Sequence, residues 1–98
     1  MAAYVIVDLK ITDPEAYEDY KAQVPASIEA YGGRYLARGG RSETLEGSWS
    51  PQRLVVLEFA GIEQAKAWLN SPEYQSVHEM RRRFADSNMV VIEGISHT

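Results

Sequence analysis

The sequence predicts an α+β fold in which strands and helices succeed one another as β-α-β-β-α-β, and three observations carry that reading. Apolar residues change period along the chain. They alternate from Tyr4 to Ile11, recur at helical spacing from Tyr17 to Tyr31, and return to short apolar runs at Arg53–Phe59 and Met89–Ile95. The stretches TDPEAY and SPEYQ each set a capping residue, a proline and a glutamate in the order that opens a helix. The 98 residues suffice for one modest core, so residues 1–98 are expected to form a single domain.

In the first strand Val5, Val7, Leu9 and Ile11 share one side and Tyr4, Ile6, Asp8 and Lys10 the other. Asp13 then caps a helix that starts at Pro14 and runs to about Tyr31, with Tyr17, Tyr20, Val24, Ile28 and Tyr31 as its inner stripe. Gly32 stands where a left-handed residue closes a helix. Pro25 has no N–H to give to the helix, which predicts a kink or break near Lys21 to Val24. In the following stretch, GGRYLARGG, a phosphate loop would need its glycines inside a strand-to-helix turn, usually with a Lys-Ser/Thr ending. Here they bracket a strand instead, with Arg34, Leu36 and Arg38 on one parity, Tyr35 and Ala37 on the other, and a bulge expected at Gly39-Gly40.

RLVVLEF, from Arg53 to Phe59, is a nearly continuous apolar strand. Ile62, Ala65 and Leu69 form the stripe of a short helix with Trp68 on its flank. Ser71 and Pro72 open a third helix running to about Ala85, and MVVIEGI, from Met89 to Ile95, is the last strand.

This order is the split βαβ arrangement of a ferredoxin-like fold: a four-stranded antiparallel-type sheet with its helices on one face. The right-handed crossover rule puts the first and third strands in the centre. The third and fourth strands are apolar on both parities, so both sheet faces should be covered, yet the helices can cover only one. A second copy laid sheet to sheet completes the burial, which predicts a homodimer through the sheet face.

Composition narrows the function. No cysteine is present, which removes disulfides, thiolate metal sites and thiol nucleophiles. A net charge of −4, with Arg81-Arg82-Arg83 as the one basic run, disfavours nucleic acid as a partner. The N-terminal stretch has neither a basic region nor a long apolar segment, so a cytoplasmic protein without a membrane span is expected. His78 and His97 stand far apart and outside any ligand-spaced cluster, so no metal and no cofactor are expected.

Five segments, DPEAYEDY, YGGRYLARGG, LEGSW, VVLEF and AWLNSPEYQ, together resemble the family called domain of unknown function 1330, within the dimeric α/β-barrel ferredoxin-like superfamily. The resemblance spans nearly the whole chain in order and implies the fold and the sheet-face dimer. It brings no reaction and no catalytic residues with it. Members of the wider superfamily include cofactor-free monooxygenases, isomerases, haem-binding enzymes and proteins without known chemistry, so fold alone leaves the function open.

The polar residues supply the candidates. On the third helix Tyr74, Val77, Met80 and Phe84 define a stripe; Arg81 falls inside it and His78 borders it. A cation on a core-facing line must snorkel, find a carboxylate or point into a cavity. Its possible carboxylate partners are Asp8, Glu58 and Glu93, with Asp8 and Glu58 expected near the C-terminal ends of the two central strands, read as parallel neighbours. Arg34 and Arg38, sharing a strand face, could meet a ligand carboxylate or Glu43 and Glu46, and ion pairing is the expectation for Arg34.

The candidate roles are an anion held by Arg81 or Arg38, a proton moved by His78 or Glu58, and a substrate oriented by Tyr20 and Tyr74. The function expected is a small homodimer that binds a small anionic or aromatic metabolite between helices and sheet, with cofactor-free acid/base chemistry as its enzymatic version. The competing expectations are a non-catalytic ligand-sensing or interaction module and a purely structural dimer whose polar groups all pair internally. A cavity containing unpaired arginine and carboxylate groups separates the first two from the last, and turnover separates the first from the second.

Overall fold

The computed structural model describes residues 1–95, so His97 lies outside the described residues. The chain folds as β1 (Ala3–Ile11), α1 (Pro14–Ala30), β2 (Arg34–Arg38), β3 (Leu54–Phe59), α2 (Ile62–Leu69), a 3-10 turn (Pro72–Tyr74), α3 (Gln75–Phe84) and β4 (Ala85–Glu93). The strands form one sheet in the order β2-β3-β1-β4, every neighbouring pair antiparallel. Val5, Val7 and Leu9 of β1 and Val55, Leu57 and Phe59 of β3 point to the helix side and are buried with Tyr17, Tyr20, Val24 and Ile28 of α1, Trp68 of α2 and Val77 of α3. This is the ferredoxin-like α+β arrangement.

The helix signals act as their chemistry requires. The Asp13 carboxylate accepts from the Ala16 amide at 3.2 Å, and the helix starts at Pro14. Beyond its end the amides of Gly32 and Gly33 donate to the carbonyls of Glu29 and Ile28, and Gly32 takes φ +76°, the left-handed turn that a side chain would strain. Helix α1 continues without a break through Pro25.

Four expectations are corrected. The central strands are antiparallel, so Asp8 sits opposite Leu54 and Glu58 opposite Tyr4, at opposite ends of the pair. The bulge falls between Tyr35 and Ala37 rather than at the glycine pair. That extra residue inverts the alternation, so Arg34 pairs in register with Glu58 whereas Arg38 pairs with Val55 on the other face. Ser71 does not cap the third helix; its hydroxyl donates back to the Trp68 carbonyl at 2.8 Å, and a 3-10 turn precedes α3. Finally, β4 begins at Ala85, immediately after α3, and runs beside β1 from Ala85 opposite Ile11 to Glu93 opposite Ala3. Its first half, ADSN, is polar because β4 is an edge strand.

The other sheet face carries Tyr4, Ile6, Leu54 and Val56, all partly exposed, with Val90 61% and Ile92 57% exposed on β4. The Asp8 carboxylate on this face accepts from the Trp49 indole at 3.0 Å and the Gln52 amide at 3.1 Å, which tethers the long β2–β3 connection. Among the described residues no helix is long and apolar enough to cross a membrane.

Candidate functional site

A cavity opens between α1, α3 and the helix side of the sheet. Tyr17, Tyr20, Lys21, Tyr35, Arg38, Arg53 and Arg81 supply its polar groups, and Val7, Leu9, Val24, Val55, Leu57 and Met89 much of the remainder. Its volume is about 20 Å³, room for roughly one water molecule. Every lining side chain that carries a full charge at neutral pH is a cation, although the chain as a whole carries −4. Lys21 is bridged to Glu18 at 3.1 Å, and the three arginines form no ion pair among the described residues.

Arg81 is the innermost of these cations, 4% exposed on α3. Its Nη1 donates to Nδ1 of His78 at 2.9 Å, and its Nε is buried without a hydrogen-bond partner. His78 is fully buried, and its Nε2 lies 3.0 Å from the Trp68 carbonyl. A guanidinium can only donate and a carbonyl can only accept, so the imidazole must be neutral with its proton on Nε2. Burial holds the His78 pKa below its ordinary value, and the charges of Arg81 and Arg82 reinforce this against the pull of the Trp68 carbonyl. Trp68 is in turn fixed by its indole N–H donating to the Ser27 hydroxyl at 3.0 Å and by edge-on contact with the His78 ring. Arg81 is thus oriented by a chain of neutral groups, none of which compensates its charge.

The other two arginines stand nearer solvent. Arg38, on β2, lies over the Tyr35 ring at 4.7 Å, and its Nη2 donates to the Lys21 carbonyl at 3.0 Å. Arg53 shares the helix-side parity of β3, lies 5.9 Å from the Tyr17 ring centre, and has a buried Nε without a partner. Its guanidinium rests against Gly39, which has φ +66°; a Cβ there would collide with the arginine head. Burial raises the Tyr20 pKa, opposed by the Arg81 charge, and pushes Tyr35 up to about 12, so both phenols stay protonated at neutral pH as O–H donors.

Of the six candidate residues, the structure brings Tyr20, Arg38 and Arg81 to the cavity lining and places His78 directly behind Arg81. Glu58 is elsewhere: it lies on the opposite sheet face, bridged to Arg34 at 2.7 Å, and Arg34 pairs with it rather than with Glu43 or Glu46. Tyr74 is also outside the cavity, packed edge-on against Tyr31, whose hydroxyl donates to Glu73 at 2.8 Å. Arg53 and Tyr35 were not among the sequence candidates. The parity of Arg53 with Val55 and Leu57 was the available signal, whereas the side taken by Tyr35 follows from its pairing opposite Leu57.

The fold and this arginine cluster define a ferredoxin-like α+β domain with a cavity between helices and sheet. The chain belongs to the family described as domain of unknown function DUF1330, whose model matches residues 2–95. No curated protein matches it. A protein of unknown function from Rhodopseudomonas palustris superposes with TM-score 0.77 at 15% identity, covering 98% of this chain and 84% of that one. A dimeric ferredoxin-like protein of unknown function from Jannaschia sp. gives 0.70 at 14%, covering 96% and 100%. SnoaB, a cofactor-independent oxygenase from Streptomyces nogalater, gives 0.65 at 12%, covering 98% and 95%. At such identities the likeness is one of fold.

Proposed function

We propose that this protein binds a small anion in the arginine cavity. The observation that carries the reading is Arg81, a buried guanidinium held by a neutral histidine, with an unpartnered Nε and no carboxylate beside it. Burying a cation without compensation costs several kcal/mol, a cost that an anionic ligand removes and that a purely structural dimer has no reason to retain. Tyr20 and Tyr35, both protonated, add O–H donors suited to the same ligand. Binding is favoured over proton transfer because both ring nitrogens of His78 are engaged and Glu58 is on the other face. This makes His78 a positioning residue for Arg81. The neighbouring oxygenase fold keeps cofactor-free chemistry open as an activity of the same cavity.

The reading includes a homodimer through the open sheet face. Its support is the exposed Val90 and Ile92 beside Ile6 and Val56, together with the dimeric state of the Jannaschia neighbour.

The anion reading is tested by thermal melting with formate and acetate, the smallest carboxylates, against chloride at constant ionic strength. A saturable rise in melting temperature with either carboxylate, absent in Arg81→Met, is expected. Equal curves in chloride and in both carboxylates would overturn it.

A further inference from the structure

The arginine cavity, about 20 Å³, has a larger neighbour. A hollow of about 120 Å³ lies between α2 and β4, close to the roughly 150 Å³ at which an apolar protein cavity takes up benzene. Val5 of β1, Ala65 and Leu69 of α2 and Val91 of β4 line it, and Lys66 is its only charged residue. Trp68 and Met89 line both spaces, so these two side chains form the wall between them. Trp68 is locked in place, 2% exposed, with its indole N–H donating to Ser27 and its ring edge-on to His78. Met89 is held less firmly. It lies opposite Val7 on the helix side of β4, partly exposed, and its unbranched thioether is fixed by packing alone.

The two spaces offer opposite chemistry: cations and phenols on one side of the wall, aliphatic and indole surface on the other. Resting on the anion-binding reading above, we propose that Met89 is the specificity-determining residue of the site. Its side chain closes the arginine cavity at the size of the smallest carboxylates and keeps the apolar tail of a longer one out of the hollow. The ligand class is therefore the short monocarboxylates, of formate or acetate size. Removing the Met89 side chain joins the two spaces into one site with a cationic end and an apolar end. A carboxylate at Arg81 then has room for a tail against Trp68, Leu69 and Val91, and each methylene buried there should tighten binding roughly fourfold.

The test is calorimetric titration of formate, acetate, butyrate and hexanoate into the wild type, Met89→Leu, Met89→Val, Met89→Ala and Met89→Ala with Arg81→Met. The wild type and Met89→Leu, which keeps the bulk of the wall, should bind formate and acetate and reject the two longer acids. Met89→Ala should reverse the order, with hexanoate tightest, and Met89→Val should move the same way by less, which keeps the test open if the alanine variant does not fold. Adding Arg81→Met should abolish the gain, because the carboxylate end then has no buried cation. If the folded small variants bind formate and still reject the longer acids, or if the wild type already takes hexanoate as tightly as formate, Met89 does not set the size and the proposal fails while anion binding at Arg81 stands. Hexanoate binding that survives Arg81→Met would place the acid in the hollow alone and also overturn it. If none of the four acids binds any variant, both readings fail together.

Discussion

Arg81 is where single-residue chemistry can be examined most sharply. Arg81→Met keeps the packing of the stem and strands no carboxylate, so the roughly 3–5 kcal/mol lost when a buried ion pair is broken should not appear. The group left short is Nδ1 of His78, a buried acceptor whose loss costs about 1–3 kcal/mol, set against the several kcal/mol regained when an uncompensated buried cation is removed, so the calorimetric melting temperature should not fall by more than about 4–8 °C. A much larger fall would identify Arg81 as a fold-holding residue. His78 gives a second prediction. Its pKa is depressed in the fold below the ordinary 6.5, so as pH falls through 6.5 the unfolded chain takes up the proton before the folded one does. Stability is then fully present above 6.5 and declines between 6.5 and the lower folded pKa. Urea midpoints across this range should fall in the wild type and stay flatter in His78→Gln; parallel slopes would remove His78 from the account.

At this scale the sequence was legible in part. The place of Arg81 in an apolar stripe follows from counting helical turns. Its lack of a carboxylate does not, since that depends on which strand faces carry Asp8 and Glu58. Leu54, Val56, Val55 and Leu57 leave the two faces of β3 alike in composition, so the side taken by Glu58 is set by pairing alone.

At the scale of elements, the helix boundaries were the most readable because capping chemistry is local. Asp13, Pro14 and Gly32 each act through neighbours within four residues. Gly32 has φ +76° and open space where a Cβ would go, so Gly32→Val should cost about 1 kcal/mol or more through backbone strain alone. Chemical denaturation that shows no loss would contradict the left-handed turn. The β2 bulge was not readable, because a bulge is a relation between two strands, and it moved Arg38 to the helix side and left Arg34 on the open face. The early start of β4 was hidden for a similar reason. ADSN is polar in isolation, and only pairing with Lys10, Leu9 and Asp8 makes it a strand.

At the scale of the whole molecule, the argument from burial concerns the open face. A chain of 98 residues with three helical pieces on one side leaves Val90 and Ile92 more than half exposed on the other. Light scattering at micromolar concentration should find twice the chain mass, and Val90→Asp with Ile92→Asp should give a folded species of single mass. A wild-type monomer would contradict this. The central claim, an anion held at Arg81, is tested most directly by NMR of the arginine Nε–H groups in ¹⁵N-labelled protein titrated with formate at constant ionic strength. The Nε–H resonance that disappears in Arg81→Met should shift saturably as the unpartnered donor acquires a carboxylate. An Arg81 resonance that stays fixed throughout the titration would contradict the account.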